Sequence, residues 1–496
     1  MTLDGLAPAL LVGAAVALVA ILSVRLAGRL GVPGLLLYLV LGLVLGAVFP
    51  PLHVENAEVA TALGFCALVL ILAQGGLTTR VSELRPVLWP ALTLASVGIV
   101  VSIVVVAVPL IVLGVETRTA VLIGAVLAAT DAAAVFSVMR GMRITTRVRT
   151  LLEAEAGFND APVVVIVAVV SAGDFGSSPW WQPPLLILAE LVGGALVGAV
   201  VGFGGRWLLP RLALPAVGLY PIAALALLVG AFGAGQWLHV SGFIAVYVAA
   251  VIIGSAARLP HRRSIIGFSD GLAWVAEIGL FVMLGALASV SRLPQAIPLA
   301  IVVAGLIIVL ARPIAAGVSL LPFRVPVPEV AFAGIAGLRG AVPIVFAAIP
   351  LGLGVAGATE VFDVTLLVVL ILMLVQVPLI TRMGRRLGVV QPGETTELEL
   401  ESAPLDGMQA LVLGVDVPAG SGLVGIFVSE LGLPEGAVVA LVVRSGSAIA
   451  PDRQTRLRAD DQMLVVTTEQ ARTATQERLR LVARHGRLAR WRASDV

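Results

Sequence analysis

Two aspartates, Asp131 and Asp160, and one arginine, Arg339, stand inside long apolar runs of a 496-residue chain. An ionisable group surrounded by hydrocarbon is costly, and by default it pairs with another group or lines a pathway. Asp131, in "LIGAVLAATDAAAVFSVM", is about twelve residues into its run, and at ~1.5 Å per helical residue that is close to the middle of a bilayer. Asp160, in "LLEAEAGFNDAPVVVIVAVV", and Arg339, in "EVAFAGIAGLRGAVPIVFAAIP", fall at a similar depth. A partly desolvated carboxylate holds a proton or a cation but not both, so the two compete for one site. If the loaded and protonated forms cross the membrane and the empty charged form does not, the result is exchange instead of leak. One such carboxylate beside the neutral Asn159 gives one proton per cation; titration of Asp131 or Glu277 as well would add a second.

The neighbouring residues fit that chemistry. Glu155 and Asn159 are four apart and share one helical face, while Glu153 and Asp160 are seven apart and share another. Asn159 and Asp160, being consecutive, diverge by about 100°, so one can hold a neighbouring element while the other faces a cavity. Glycines at 334, 337 and 340 and Pro343 surround Arg339. Such a run weakens a helix and frees carbonyls, which is tolerated at membrane depth only where protein or a watery cavity satisfies them. The same reasoning applies more weakly at Thr130 and Asp131. Glu155 with Arg339 reads as a structural ion pair holding the bundle, not as a cation ligand set. Glu277, in "LAWVAEIGLFVMLGALAS", is divided between lining a pathway and packing, and Gln74, in "ILAQGGL", reads as a packing hydrogen bond. A lone intramembrane aspartate can also be a packing hydrogen bond, but three charged groups at one depth argue for a site. His53, His239, His261 and His485 fall in loops or the tail without metal-ligand spacing.

The elements that must position these groups follow from composition. With 59% hydrophobic and 12% charged residues and a mean hydropathy of +1.07, the chain is a membrane protein. About thirteen spans of roughly the ~20 residues a helix needs can be read, near 8–28, 33–49, 58–77, 87–113, 119–139, 151–171, 184–204, 216–235, 241–257, 270–290, 295–313, 329–350 and 362–381. Arginines at 25 and 29, 80 and 85, 140 through 149, 206 and 211, 258 through 263, 312 and 324, and 382 through 386 fall on one side, and only Arg118 and Arg292 on the other. Short cytoplasmic loops collect positive charge, so the N-terminus lies outside and the C-terminus in the cytoplasm. The first span lacks a basic leader and reads as a retained helix. If spans one to six and eight to thirteen are inverted halves, the fifth and twelfth are equivalent, and equivalent broken helices meeting at the midplane build ion sites in many secondary transporters. Every basic side chain apart from histidine is arginine, and the net charge of +2 follows loop sidedness, which argues against nucleic acid as a partner. The only cysteine, Cys66, excludes an intrachain disulfide and reads as a small buried hydrophobe.

After Gly388 the composition shifts. "GVVQPGETTELELESAPLDG" reads as an acidic linker, and a compact domain follows. "MQALVLGVDV" predicts a strand, "LVGIFVSELGL" a short amphipathic helix, "AVVALVVRSGSAIAP" a hairpin turning near Ser445 and Gly446, and "QMLVVTT" a further strand before a final helix. Arginines and Trp491 at the end suit either anionic headgroups or a solvated tail. No G-x-G-x-x-G follows a strand here, so dinucleotide binding is not announced.

Together "ATDAAAVFSVMR", "EAEAGFNDAPVVVIV", "GLRGAVPIVFA" and "LILAQGGL" resemble the motifs of the monovalent cation:proton antiporter-1 family, the NhaP-type exchangers. The C-terminal segment draws the resemblance toward bacterial potassium/proton antiporters that carry a cytoplasmic TrkA-C (RCK-C) domain. The resemblance covers essentially the whole chain; the Asn-Asp and Gly-Leu-Arg-Gly motifs together are specific, and the Thr-Asp alone is weak. It implies an all-α polytopic membrane protein of about thirteen helices in two inverted six-helix repeats with crossed discontinuous helices, plus a small α+β domain. The expected divisions are an exchanger domain at 1–387, an acidic linker at 388–407 and a regulatory RCK-C-like domain at 408–496. By position, Thr130 and Asp131 would line a monovalent cation site, Asp160 would be the principal carrier carboxylate, Asn159 its partner, and Glu155 with Arg339 a supporting ion pair. Gln74 stands where many relatives have an acidic residue, and Ala156 where many have serine, which leaves K+ and Na+ both open, with K+ favoured by resemblance alone. It further implies a homodimer in the bacterial inner membrane, no cofactor beyond the transported cation and proton, no enzymatic activity, and a small ligand such as a cyclic dinucleotide on the C-terminal domain. A gated channel, for which no filter-like repeat is present, and a non-transporting sensor are the rival readings.

Overall fold

The computed structural model describes residues 11, 13–23, 33–48, 57–131, 134–135, 144–173, 181–257, 259–390, 400–405, 410–418, 420–444, 447–468 and 470–486. The chain divides into two compact units, Met1–Gln391 and Pro392–Val496.

In the first unit the apolar runs are helices, because a segment crossing hydrocarbon alone must satisfy its backbone internally. They are α1 (Gly13–Ser23), α2 (Gly34–Val48), α3 (Ala57–Thr78), α4 (Leu88–Val112), α5 (Thr117–Ala128), α6 (Thr146–Ala172), α7 (Gln182–Leu208), α8 (Leu219–Trp237), α9 (Gly242–Gly254), α10 (Arg262–Leu287), α11 (Leu293–Phe323), α12 (Val327–Ala336), α13 (Ala341–Gly352) and α14 (Ala358–Arg386). Among the described residues, 8 of these are long and apolar enough to cross a bilayer, and α12 with α13 forms one span bent by 50°. The shorter α1, α2, α5 and α9 occupy the remaining predicted spans.

Helices α4, α5, α6 and α11 to α14 pack chiefly on one another, as do α2, α3, α7, α8, α9 and α10. The two bundles meet along a seam where α3 packs on α13 and α6 on α7 and α9. Of the apolar window of α6, 78% is buried, against 17% for α7, so α6 is the central helix and α7 lies at the periphery of the unit. Small residues let α7 lie close to α9: a Cβ on Gly194 or Gly198 would strike the carbonyl oxygens of Ser241 or Ala245.

Three expectations change. α10 begins at Arg262, eight residues before its predicted start at 270, after His261 turns the chain in a left-handed conformation (φ 49°). Its polar opening, "RRSIIGFSDG", masks a helix whose Ser269 is buried against neighbours. Cys66 is exposed on α3, not buried. Arg312, counted with the loop arginines, is a buried residue of α11, placed just after a π turn at Ile307–Ala311.

The second unit is a five-stranded antiparallel sheet in the order β1 (Leu400–Leu405), β2 (Ala410–Asp416), β5 (Gln462–Thr468), β3 (Ala437–Arg444), β4 (Ser447–Ile449), with α15 (Arg472–His485) following β5. Strand β1 lies within the stretch predicted as linker. The expected helix in "LVGIFVSELGL" is only a 3-10 turn at Val428–Glu430. Gly425 and Gly432 adopt positive φ (86° and 58°) and break any helix there, while Leu423, Ile426 and Leu431 still enter the core. The predicted hairpin forms between β3 and β4; its turn at 445–446, and Trp491, lie outside the described residues.

Asp461 is the electrostatic anchor of this unit. Its carboxylate accepts from Arg444 Nε and Nη2 at 2.8 and 2.7 Å and from the Arg458 backbone N–H at 2.8 Å. These bonds, the Arg444 guanidinium foremost, hold its pKa below the ordinary aspartate value. A depressed folded-state pKa stabilises above the unfolded value, about 3.9, and the contribution disappears as pH falls through the folded one. Asp461→Asn is expected to destabilise the unit by about 1.5–3 kcal/mol at neutral pH. Amide exchange in β3 and β5 of the full chain should show this loss at pH 7, with the gap to wild type closing on acidification.

Candidate functional site

The site is built where two helices stop short. α5 ends at Ala128, and Ala129 is already extended (ψ 140°). Neither glycine nor proline stands at 129–131, so this break is held by tertiary bonds. The Asp131 backbone N–H donates to the Leu338 carbonyl at 2.9 Å. The facing break, 337–340, separates α12 from α13. Here local sequence contributes: Gly337 and Gly340 depart from helical angles, and Pro343 sits in the first turn of α13, where no N–H is needed.

The two breaks satisfy each other's exposed ends. The Asp131 carboxylate accepts from the Ala341 N–H, at the N-terminus of α13, at 2.6 Å, and from the Ala134 N–H at 3.4 Å. Arg339 donates through Nε to the Leu127 carbonyl at the end of α5, at 3.0 Å, and through Nη1 to the Gly337 carbonyl at the end of α12, at 2.6 Å. An anion thus sits at a helix N-terminus and a cation at two C-termini, the favourable sense of the helix dipole in each case. Gly340 is required by this closeness, since a Cβ there would overlap Asp131 Oδ2. Both charged side chains are 1% exposed.

α6 runs unbroken past the crossing and presents Glu155, Asn159 and Asp160, all buried. Asn159 Nδ2 donates to Thr130 Oγ1 at 2.5 Å, tying α6 to the break in α5. Asp160 lies within electrostatic reach of Asp131. Among the described residues, Asp160 Oδ1 and Asn159 Oδ1 are buried acceptors without a donor.

The expected pairing of Glu155 with Arg339 is not the one formed. Glu155 makes a bidentate pair with Arg312 of α11, both bonds 2.6 Å, with the two side chains each 3% exposed. Arg339 is taken up by backbone carbonyls instead, and Gly337 lies directly against the Arg312 guanidinium, where a Cβ would collide. Gln74 and Glu277 belong to the other bundle. Gln74 Nε2 donates to Asp270 Oδ1 of α10 at 2.6 Å, the hydrogen-bonding role expected of it. Glu277 is buried two turns farther along α10, in electrostatic contact with Tyr38 of α2. Sequence reading missed Arg312 and Asp270, each at the edge of its predicted span. Arg118, one of the two outliers of the loop count, caps the end of α6 by donating to the Val170 and Ser171 carbonyls.

The family descriptor "Sodium/hydrogen exchanger, transmembrane" matches residues 14–386. The chain belongs to the sodium/hydrogen exchanger family. A second descriptor, the TrkA-C domain, matches residues 412–480. The chain is 35% identical over 389 residues to the K(+)/H(+) antiporter NhaP of Alkalimonas amylolytica, covering 76% of this exchanger and 66% of that protein. It is 32% identical over 480 residues to the K(+)/H(+) antiporter NhaP2 of Shewanella sp. (strain MR-4), covering 95% and 83% of the two chains. The solved structure of the sodium proton antiporter MjNhaP1 from Methanocaldococcus jannaschii superposes with a TM-score of 0.65 at 23% identity, covering 77% of this exchanger and 99% of that chain, and so shares its fold. This exchanger is therefore a multi-pass cation/proton antiporter with a TrkA-C domain.

Proposed function

We propose that this antiporter exchanges K+, in preference to Na+, for protons by alternating access, with Asp160 as the group at which cation and proton compete. The observation that carries this reading is the pair of buried, donorless oxygens on Asp160 and Asn159 beside the crossing of two broken helices. A buried acceptor left unmade costs about 1–3 kcal/mol, and more when charged. A bound proton or cation removes that cost at Asp160, which makes the empty site the least stable of its three states.

The other roles follow from what each side chain already touches. Thr130 and Asp131 form one wall of the cation site. Asp131, held by two backbone N–H groups, contributes a fixed negative charge. Asn159 fixes α6 to that wall, Arg339 fastens the crossing, and Glu155 with Arg312 braces α6 against α11. One titrating carrier gives one cation per proton, and current recorded across a tightly sealed membrane during exchange would overturn that ratio. The reading sets the chain in the bacterial cell membrane with its N-terminus outside and its C-terminus in the cytoplasm, an orientation that the arginine distribution supports.

K+ is favoured because the NhaP and NhaP2 relatives are named K(+)/H(+) antiporters. The test is dequenching of a pH-sensitive dye in everted vesicles on addition of K+, Na+, Li+ or Rb+. K+ and Rb+ are expected to dequench; dequenching by Na+ with K+ silent reverses the preference.

The TrkA-C domain is read as a regulator that binds a small ligand, such as a cyclic dinucleotide, within a homodimer. Truncation after Gln391 is expected to leave exchange intact and to shift its dependence on pH or ligand. Complete loss of exchange in a truncated protein that still inserts as a dimer counts against this role.

A further inference from the structure

The seam between the two bundles contains a cavity of about 700 Å³ that the exchange site does not use. Leu88 and Leu92 of α4 and Phe158 of α6 line one side; Leu188 and Ala195 of α7 and Tyr247 of α9 line the other. Phe158 meets the Tyr247 ring edge-on at 5.2 Å and closes the inner wall. The volume is in the range of about 300–1,000 Å³ typical of small-molecule sites. The walls are almost wholly carbon, with Ser96 and Tyr247 the hydroxyl-bearing residues of the lining, so water gains little by entering and an apolar chain gains more.

One end of the cavity has a different chemistry. Val81 and Leu84 line it there, in the short helix Val81–Leu84 that links α3 to α4, and the exposed Arg80 and Arg85 flank that turn. Glu83, between them, offsets one of the two charges. The turn is pinned to the end of α9 by the Val81 N–H, which donates to Ser255 Oγ at 2.9 Å. Trp89, 68% exposed, follows that turn in sequence and also lines the cavity. Tryptophan and arginine beside an apolar slot form the profile of a headgroup boundary above hydrocarbon.

We propose that this cavity is a binding site for one acyl chain of an anionic glycerophospholipid, drawn from the leaflet at the Arg80 and Arg85 end. The occupant is a membrane lipid because the slot lies at bilayer depth, and the exposed Trp89 and Leu188 at its rim border the lipid itself. The proposal goes beyond the exchange chemistry. Its ligand touches neither Asp160 nor Asp131, yet it stands between the bundles that must move past each other. A filled cavity therefore favours the arrangement of bundles that accommodates the chain.

The test is native mass spectrometry of the full-length protein, purified in detergent from membranes doped with phosphatidylglycerol or phosphatidylcholine. Wild type is expected to retain phosphatidylglycerol. Ala195→Trp fills the slot and should lower retention ~10-fold, whereas Leu196→Trp, one residue along, 63% exposed and outside the cavity lining, should leave it unchanged. Ala195→Leu, a smaller intrusion, gives the graded loss if the tryptophan variant fails to fold. Arg80→Gln with Arg85→Gln should abolish the preference for phosphatidylglycerol over phosphatidylcholine. Equal retention by wild type and the Ala195 variants, or retention of detergent alone, overturns the site; an unchanged headgroup preference in the double arginine variant overturns its anionic specificity.

Discussion

Asp160→Asn is expected to abolish cation/proton exchange in vesicles, by about 100-fold or more, while leaving the protein folded. The substitution keeps the size of the side chain and its capacity for hydrogen bonds but removes the charge for which, on the proposed mechanism, proton and cation compete. Asp160 Oδ1 has no donor among the described residues, so the neutral amide breaks no bond that the structure makes to that atom. The melting temperature of the purified protein should accordingly equal or exceed that of wild type, because a buried carboxylate whose Oδ1 has no donor among the described residues is replaced by a neutral group. The combination is diagnostic: lost exchange together with a lower melting temperature would mean a structural role for Asp160, and undiminished exchange would remove it as carrier.

Glu155→Gln is expected to do the reverse, damaging the fold first. The Glu155 and Arg312 side chains are each 3% exposed and joined by two bonds of 2.6 Å. Neutralising one partner leaves a buried guanidinium uncompensated, a loss of about 3–5 kcal/mol. Replacing both, as Glu155→Gln with Arg312→Met, removes the stranded charge and should recover much of that stability. Thermal unfolding of the two variants distinguishes this brace from one made with Arg339: if the double substitution is no more stable than Glu155→Gln alone, the pairing with Arg312 is not what holds α6 to α11.

That partner was not legible in the sequence, and the reason is physical. Loop sidedness treats every arginine at a span edge as solvated, and Arg312 stands at the end of a predicted span. A π turn at Ile307–Ala311, which no apolar periodicity reveals, immediately precedes it and shifts the helical register there. Asp270 escaped similarly, because the polar start of α10 resembles a loop. The crossing was readable from charge and glycine: Asp131 and Arg339 at one depth, with glycines at 337 and 340, point to broken helices. The break at Thr130 was the fainter half, since its decisive bond comes from Leu338, more than two hundred residues away in sequence. In the C-terminal unit, alternation located β2, β3 and β5, whereas the helical spacing of "LVGIFVSELGL" misled because two left-handed glycines outweigh it.

With Asp160 as the proposed carrier, pairing of the buried charges also sets how the membrane potential acts on the protein. At the crossing, Asp131 and Arg339 cancel, and beside it so do Glu155 and Arg312. Among the described residues of the group, Asp160 remains as the unbalanced charge. A bundle carrying it with a proton or a monovalent cation is neutral and crosses the field without electrical work. The empty bundle carries one negative charge, and each elementary charge moved through 100 mV involves about 2.3 kcal/mol. On the proposed role of Asp160, membrane potential acts on the unloaded protein alone, resisting or aiding its return according to direction, and leaves the two productive strokes untouched.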